Sequence, residues 1–171
     1  MNLRRTRDSI YLEMAHTLAK RGTCARRQVG CILVDADGFV LSMGYNGVAA
    51  GRPHCSEGFP CPGAGARSGE RLDACQALHA EQNAILRLPD PRKVHSAYVT
   101  VSPCISCVKL LLGTNCERIV FAEEYPHSES KTWWEDAGRQ WIHLWQPRID
   151  RTSLETCTHG IPWDDCPDCR H

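Results

Sequence analysis

The chain has 171 residues, which suits one domain with a sizeable core, and its 20 acidic residues balance its 20 basic ones. This balance disfavours a long polynucleotide as substrate, because dedicated nucleic-acid binders usually carry a basic excess. No apolar run approaches the ~20 residues of a membrane span, and residues 1–10 lack the apolar core of a signal peptide. Eleven cysteines in such a chain predict a reducing, cytoplasmic setting, where clustered cysteines more often hold metal than form disulfides.

A helix and a hairpin are predicted at the start of the chain. Ile10, Met14 and Leu18, together with Tyr11, lie at helical spacing and predict a first helix over about 6–21. Two apolar runs, at 29–34 and 39–43, then predict a pair of strands, and residues 35–38 between them predict the short turn that joins the strands.

The rest of the chain alternates loops, helices and strands. A tight loop is expected at 44–47, and residues 49–69, rich in Gly, Pro, Ser and Cys, are expected to be irregular. Helices are predicted at about 70–88, 103–113 and 133–138, and strands at 94–101, 118–122 and 141–145. This order predicts an α/β fold over 1–149, a three-layer αβα domain with a mixed five-stranded sheet, followed by a separate Cys/His-rich tail at 150–171.

Two cysteines and a histidine form the pattern with the clearest chemistry. Cys104 and Cys107 lie three residues apart at a predicted helix start, where both sulfurs share one side of the first turn and the helix N-terminus favours thiolates. His79 adds a neutral imidazole, and three protein ligands leave a fourth zinc position open for water, as in catalytic sites. For the Cys-x-x-Cys spacing alone, a redox pair or two buried core cysteines are alternatives.

Glu81, two residues after His79, gives this pattern a catalytic meaning. Residues at i and i+2 do not share a helix face, so an amphipathic stripe does not explain the pair. Both side chains converge if the metal lies off the helix N-terminus. Glu81 would then take a proton from a zinc-activated water, give it to the ring nitrogen beside an amino carbon, and help protonate the departing ammonia.

These residues form the His-x-Glu…Pro-Cys-x-x-Cys signature of zinc nucleobase deaminases. Over about residues 8–125 the chain resembles deoxycytidylate deaminases of the bacterial and phage type. Four segments carry the resemblance in the family's order: TCARRQVGCILVD (23–35), GYNGVAAGRPHCSE (44–57), HAEQNAI (79–85) and TVSPCISC (100–107). The resemblance implies a cytidine-deaminase-like fold and zinc-dependent hydrolysis of dCMP to dUMP and ammonia.

The resemblance also implies which residues contact the base and sugar of the substrate. Asn46 would contact both groups, and the backbone N–H of Ala80 would contact the pyrimidine. The backbone carbonyl of Ser102 would lie against the amino group.

Phosphate recognition is implied for the segment before the first strand. The small hydroxyl residue and the arginine of the family fall on Thr23 and Arg26, with Arg27 as the substitute for Arg26. Tyr125 matches a phosphate-contacting tyrosine after a later strand. Because substrates of different phosphate number differ only in this outer region, dCTP stays open as an alternative. A dCMP modified at C5 of the base stays open as well.

The family is typically hexameric, and many members are activated by dCTP and inhibited by dTTP, with Mg²⁺ helping the effector to bind. The resemblance implies a homo-oligomer with such effectors, for which the loop at 44–60 is the expected site.

Cysteines outside the signature suggest two more metal sites. Some relatives hold a second, structural zinc near the irregular segment, and the candidates here are Cys24, Cys55, Cys61, Cys75 and His54. Scattered free thiols are the alternative. In the tail, four residues make a plausible zinc ligand set, with a disordered tail as the alternative: Cys157, His159, Cys166 and Cys169.

Two other functions compete with a nucleotide deaminase. A tRNA-adenosine deaminase shares the signature but needs a basic surface, which the balanced charge does not favour. A non-catalytic zinc-binding module would hold its metal with four protein ligands, and it would have no use for Glu81.

Overall fold

The structure is a computed structural model that describes residues 4–66, 74–125 and 128–144. Its helices are α1 (Arg7–Ala19), α2 (Ala80–Ile85), α3 (Ile105–Leu112) and α4 (Ser128–Asp136). Its strands are β1 (Gly30–Val34), β2 (Val40–Tyr45), β3 (Gly47–Val48), β4 (Ala77–Leu78), β5 (Ser96–Val101), β6 (Arg118–Glu123) and β7 (Gln140–His143). The candidate tail ligands Cys157, His159, Cys166 and Cys169 lie outside the described residues.

The central sheet has five strands in the order β2-β1-β5-β6-β7. β1 runs antiparallel to both β2 and β5, whereas β5, β6 and β7 are parallel to one another. Helix α1 packs on one face, and α2, α3 and α4 contribute to the core on the other. The predicted α/β architecture of three layers around a mixed five-stranded sheet is therefore confirmed.

Strand β1 shows why both faces of the sheet are covered. All of its residues are buried, and they alternate between two cores. Cys31 and Leu33 pack with α2 and α3, while Ile32 and Val34 pack with α1. A strand buried on both faces reads as a continuous apolar run, and that is how it stands in the sequence.

Helix α1 is confirmed, but the residues whose spacing predicted it do not all face the sheet. Ile10 and Met14 are each 38% exposed, and the buried residues are Leu12, Ala15 and Ala19. The small alanines let the helix approach β1 so closely that a Cβ built on Gly30 would lie 2.0 Å from the Ala15 carbonyl oxygen. Close backbone approach, and not the size of the apolar side chains, selects this face.

The predicted helix over 70–88 is wrong over residues 74–79, the part before residue 80 that the structure describes. Residues Ala77–Leu78 pair with Gly47–Val48 as β4 and β3, and α2 begins only at Ala80. Strand β2 continues to Tyr45, which pairs with Gly30 of β1, and this leaves Asn46 as the one residue between β2 and β3. A pairing partner 30 residues away outweighs local helix propensity, which differs among ordinary residues by less than about 1 kcal/mol.

The α4 helix begins five residues before its predicted start of 133, at Ser128. Among the described residues, no helix is both long and apolar enough to cross a membrane.

Candidate active site

The predicted metal ligands meet where the N-termini of α2 and α3 converge. His79 is the N-cap residue of α2, Cys104 is the N-cap residue of α3, and Cys107 lies in the first turn of α3. The His79 Nδ1 atom lies 3.4 Å from the Cys104 sulfur and 3.3 Å from the Cys107 sulfur. A backbone N–H of His79 donates to the Gln82 side chain at 2.7 Å, which orients the start of α2.

The geometry of this cluster fits a zinc ion. Its three ligand atoms all lie within 4.8 Å of one another. A tetrahedral zinc with ordinary Zn–N and Zn–S bonds separates its nitrogen and sulfur ligands by roughly 3.5 Å, close to the observed distances. Among the described residues no fourth His, Cys, Asp or Glu joins the group, so a bound ion would keep a position for water or substrate.

The two thiols of the cluster differ in how readily they ionise. A hydrogen bond from the Cys107 thiol, assisted by His79, lowers the pKa of Cys104 to about 4 despite its burial. The same hydrogen bond raises the pKa of Cys107, and burial raises it further. Ionisation is therefore favoured at Cys104 over Cys107, and a divalent cation bound by both sulfurs would displace the remaining thiol proton.

Glu81 lies beside this cluster in the first turn of α2 and is only 3% exposed. Burial raises the pKa of its carboxyl, while the nearby His79 acts to lower it. Among the described residues no Lys or Arg forms a salt bridge with Glu81, and so deeply buried an acidic side chain is unusual in a purely structural position.

A cavity of about 400 Å³ opens in front of the cluster. His79, Glu81 and Cys104 form part of its wall, and other parts come from loops before β1 and after β6. Of the substrate contacts inferred from the sequence, it is lined by Arg26, Arg27, Asn46, Ala80, Ser102 and Tyr125. Residues far apart in the chain are thus brought around one space large enough for a small ligand.

Residues 5–123 match the family described as the cytidine and deoxycytidylate deaminase zinc-binding region. The chain belongs to this family.

Individual relatives agree with this assignment. The chain is 35% identical over 125 residues to the deoxycytidylate deaminase of Mycobacterium phage D29, covering 68% of this chain and 94% of the phage protein. It is 38% identical over 122 residues to the deoxycytidylate deaminase of Schizosaccharomyces pombe, covering 69% of this chain but only 37% of the yeast protein.

A solved structure supports the fold. The dCMP deaminase of cyanophage S-TIM5, crystallised in complex with dCMP and dUMP, superposes with a TM-score of 0.62 at 23% identity. The match covers 80% of this chain and 95% of the phage chain.

Thr23 is the inferred substrate contact that the structure does not bring to the cavity wall. Its Oγ1 atom is buried and has no hydrogen-bond partner among the described residues. A Cβ built on Gly47 would lie 2.6 Å from this oxygen, so the hydroxyl faces β3. The backbone of Thr23 is also engaged, since its N–H donates to the Asn46 carbonyl and its carbonyl accepts from the N–H of Ser56.

Ser102 has a side-chain role that sequence reasoning missed. Its Oγ atom accepts a 2.7 Å hydrogen bond from the N–H of Tyr125, and its own N–H donates to the Glu123 carbonyl. Ser102 therefore ties the loop after β6, which carries Tyr125, to the segment that leads into Cys104. A serine directly before the Pro-Cys-x-x-Cys motif was the available signal, but sequence spacing could not name its hydrogen-bond partner.

Four other cysteines lie near one another beside the cavity. The Cys61 N–H donates to the Cys55 sulfur at 3.3 Å, and Cys61 and Cys75 are hydrogen-bonded to each other. Cys24 and Cys75 line the cavity. Among the described residues only the His79 cluster gathers three ligand atoms within 4.8 Å, so these four thiols form a looser group.

Backbone groups point at two of these four sulfurs. Burial favours the neutral thiol of Cys61, but N–H groups of Gln76 and Gly63 outweigh it and lower the pKa of Cys61. Burial raises the pKa of Cys75, although the N–H of Ala77 opposes this. His54, the fifth candidate, has a buried Nδ1 atom without a hydrogen-bond partner among the described residues.

Proposed function

We propose that this protein is a zinc-dependent hydrolase that converts dCMP to dUMP and ammonia. The observation that carries the proposal is the buried carboxylate of Glu81 next to an open His/Cys/Cys cluster, at a cavity that also contains two arginines. The matching relatives named deoxycytidylate deaminase, and the phage structure in complex with dCMP and dUMP, support the choice of substrate.

His79, Cys104 and Cys107 would hold the zinc ion, which when bound supplies a water molecule of lowered pKa as the nucleophile. Glu81 accepts a proton from this water and delivers it to N3 of the cytosine ring, which makes C4 more electrophilic. Once the water oxygen has added to C4, the same carboxylate takes the second proton of that water from the new C4 hydroxyl and passes it to the amino nitrogen, so that the C4–N bond breaks and ammonia leaves. The burial of Glu81 keeps bulk water from competing for these protons.

The cavity wall provides contacts for the rest of the nucleotide. The N–H of Ala80 is free of intrahelical bonding because it lies in the first turn of α2, and it is suited to a pyrimidine oxygen. Arg26, Arg27 and Tyr125 lie on the part of the wall formed by loops and would hold the 5′-phosphate. Arg27 is 3.8 Å from Glu123 in an exposed ion pair, which a phosphate could replace at little cost.

The four cysteines of the looser group, Cys24, Cys55, Cys61 and Cys75, would hold a second, structural zinc ion. Backbone N–H groups directed at the sulfurs of Cys61 and Cys75 favour thiolates, the form that binds zinc, although burial still raises the pKa of Cys75. Such an ion would fasten the irregular segment after β3, which contributes Ala64 and Ala66 to the cavity wall.

Turnover of a substrate series tests this function. Purified, zinc-loaded protein is assayed with cytidine, deoxycytidine, CMP, dCMP and dCTP, each with and without dCTP or dTTP plus Mg²⁺ as effector. We expect the highest kcat/KM with dCMP. Preference for dCTP would show that the substrate is a triphosphate and not a monophosphate. The absence of deamination of every one of these compounds by zinc-loaded protein would refute the proposal.

A variant of the proposed acid and base tests the mechanism. Glu81→Gln should lower kcat by about 10²–10⁴-fold, because a proton-transfer group is lost, while the zinc content stays unchanged. Glu135→Gln is the matched control, since Glu135 is an exposed carboxylate on α4. An active Glu81→Gln enzyme would exclude Glu81 from proton transfer.

A further inference from the structure

Asn46 makes four hydrogen bonds to the segment between α1 and β1. Its side-chain Nδ2 donates to the Arg27 carbonyl at 2.7 Å, and its Oδ1 accepts from the Val29 N–H at 2.8 Å. Its backbone N–H donates to the Val29 carbonyl at 3.1 Å, and its carbonyl accepts from the Thr23 N–H at 3.0 Å. One asparagine thus holds both ends and the middle of a segment that has no helix or strand of its own.

This segment carries the two arginines of the cavity. Arg26 and Arg27 both lie in it, and each lines the cavity wall. A hydrogen bond within the segment also stabilises it, since the Gln28 side chain donates to the Gly22 carbonyl at 2.9 Å. Asn46 itself is 8% exposed, and a Cβ on Gly22 would lie 2.7 Å from its Oδ1, so its amide has little freedom to change partners.

The amide of Asn46 keeps part of its bonding capacity for a ligand. A primary amide has two donor hydrogens and two acceptor lone pairs, and one of each is used on Arg27 and Val29. Asn46 also lines the cavity, so the remaining hydrogen and lone pair can reach a bound molecule. The same side chain can contact the sugar and hold the arginine backbone.

We propose that Asn46 is a positioning residue for phosphate recognition: its amide fixes the backbone that aims Arg26 and Arg27 at the 5′-phosphate of the nucleotide. This inference rests on the proposed function. It distinguishes Asn46 from a residue that only contacts the sugar, since such a contact serves dCMP and deoxycytidine equally. A positioning residue acts on dCMP alone, the substrate that has a phosphate.

The test compares kcat/KM for dCMP with kcat/KM for deoxycytidine. Asn46→Ala should lower the ratio of the two by about tenfold. The displaced backbone would cost one hydrogen bond between an arginine and the charged phosphate, and such a bond has about this effect. In double-mutant cycles, its effect on the ratio should be non-additive with that of Arg26→Ala or of Arg27→Ala, because Asn46 acts through them. Asn83→Ala is the control, since Asn83 supports the neighbouring Tyr45 carbonyl and should leave the ratio unchanged.

An unchanged ratio in Asn46→Ala, with both activities lowered equally, would overturn the positioning role and leave the proposed function intact. Additive effects with both arginines would also overturn it. Wild-type protein that does not prefer dCMP to deoxycytidine would refute phosphate recognition itself. If Asn46→Ala does not fold, Asn46→Asp retains the acceptor for Val29 and removes the donor to Arg27, and the same cycles apply.

Discussion

Arg139 fastens the end of the helix whose start carries the metal-binding cysteines. Its guanidinium donates to four main-chain carbonyls, those of Leu111, Leu112, Thr114 and Cys116. The shortest of these bonds, to Cys116, is 2.7 Å, and the guanidinium carbon lies 5.1 Å from the Trp134 ring centre. A cation at the C-terminus of α3 also interacts favourably with the helix dipole. We therefore expect Arg139→Ala to destabilise the protein substantially.

The size of this effect follows from the geometry. Three of the four carbonyls share the two hydrogens of one Nη1 atom, so the bonds amount to about three, and hydrogen bonds to charged groups contribute about 1.5–3 kcal/mol each. Because Arg139 is only partly buried, water can hydrogen-bond to some of these carbonyls in the Arg139→Ala variant. We therefore expect the free energy of unfolding to fall by about 3 kcal/mol. At this chain length, that loss lowers Tm by roughly 6–12 °C.

Urea unfolding of the zinc-loaded protein measures this loss directly. Arg139→Lys is the matched variant, because it keeps the charge near the helix end but has no planar fork to reach several carbonyls. It should recover less than half of the lost free energy. If Arg139→Ala were destabilised by less than about 0.5 kcal/mol, the range of ordinary surface substitutions, the assignment of Arg139 as a fastening residue would be refuted.

Two glycines and two cysteines provide the remaining predictions. A Cβ on Gly44 would lie 2.2 Å from the Ala80 carbonyl oxygen, so Gly44→Ala should cost about 1–3 kcal/mol and weaken zinc retention against a chelator by displacing α2. In Gly30→Ala the new Cβ would contact α1, which carries no metal ligand, so this variant should lose stability but retain zinc. Equal zinc loss in the two glycine variants would contradict the role given to Gly44. Cys61→Ser should lose one zinc equivalent per chain relative to wild type, measured by elemental analysis, whereas Cys116→Ser, a core thiol, should lose none. Identical zinc contents in the two cysteine variants would disprove the second site.

Local patterns predicted the elements whose contacts are close in sequence. The hairpin of β1 and β2 follows from two apolar runs around a short turn, and its partners are near one another in the chain. The end of helix α3 was predicted correctly, since Gly113 is its C-cap, but the helix begins at Ile105, two residues after the predicted start at Pro103, which precedes the N-cap Cys104. Prediction was wrong where a distant partner decided, as at β4, whose pairing with β3 replaced a helix.

The same division holds for the candidate site. Cys104 and Cys107 were readable as a pair because helical geometry relates residues three apart. The role of Asn46 was not readable in full, since its amide partners lie 17 and 19 residues earlier in the chain. Thr23 illustrates the converse: it has the right type and place in the sequence, but packing against Gly47 turns its hydroxyl from the cavity.

The sequence by itself determined the chemistry available to this protein: a nitrogen and two sulfurs for zinc, and a carboxylate two residues from the histidine. These properties depend on residue type and on spacing within a single turn. Only the tertiary structure decided that His79 meets Cys104 across 25 residues, and that the arginine segment is held against the cavity by Asn46. Such meetings depend on how whole elements pack on the sheet, and packing is a property of the entire chain.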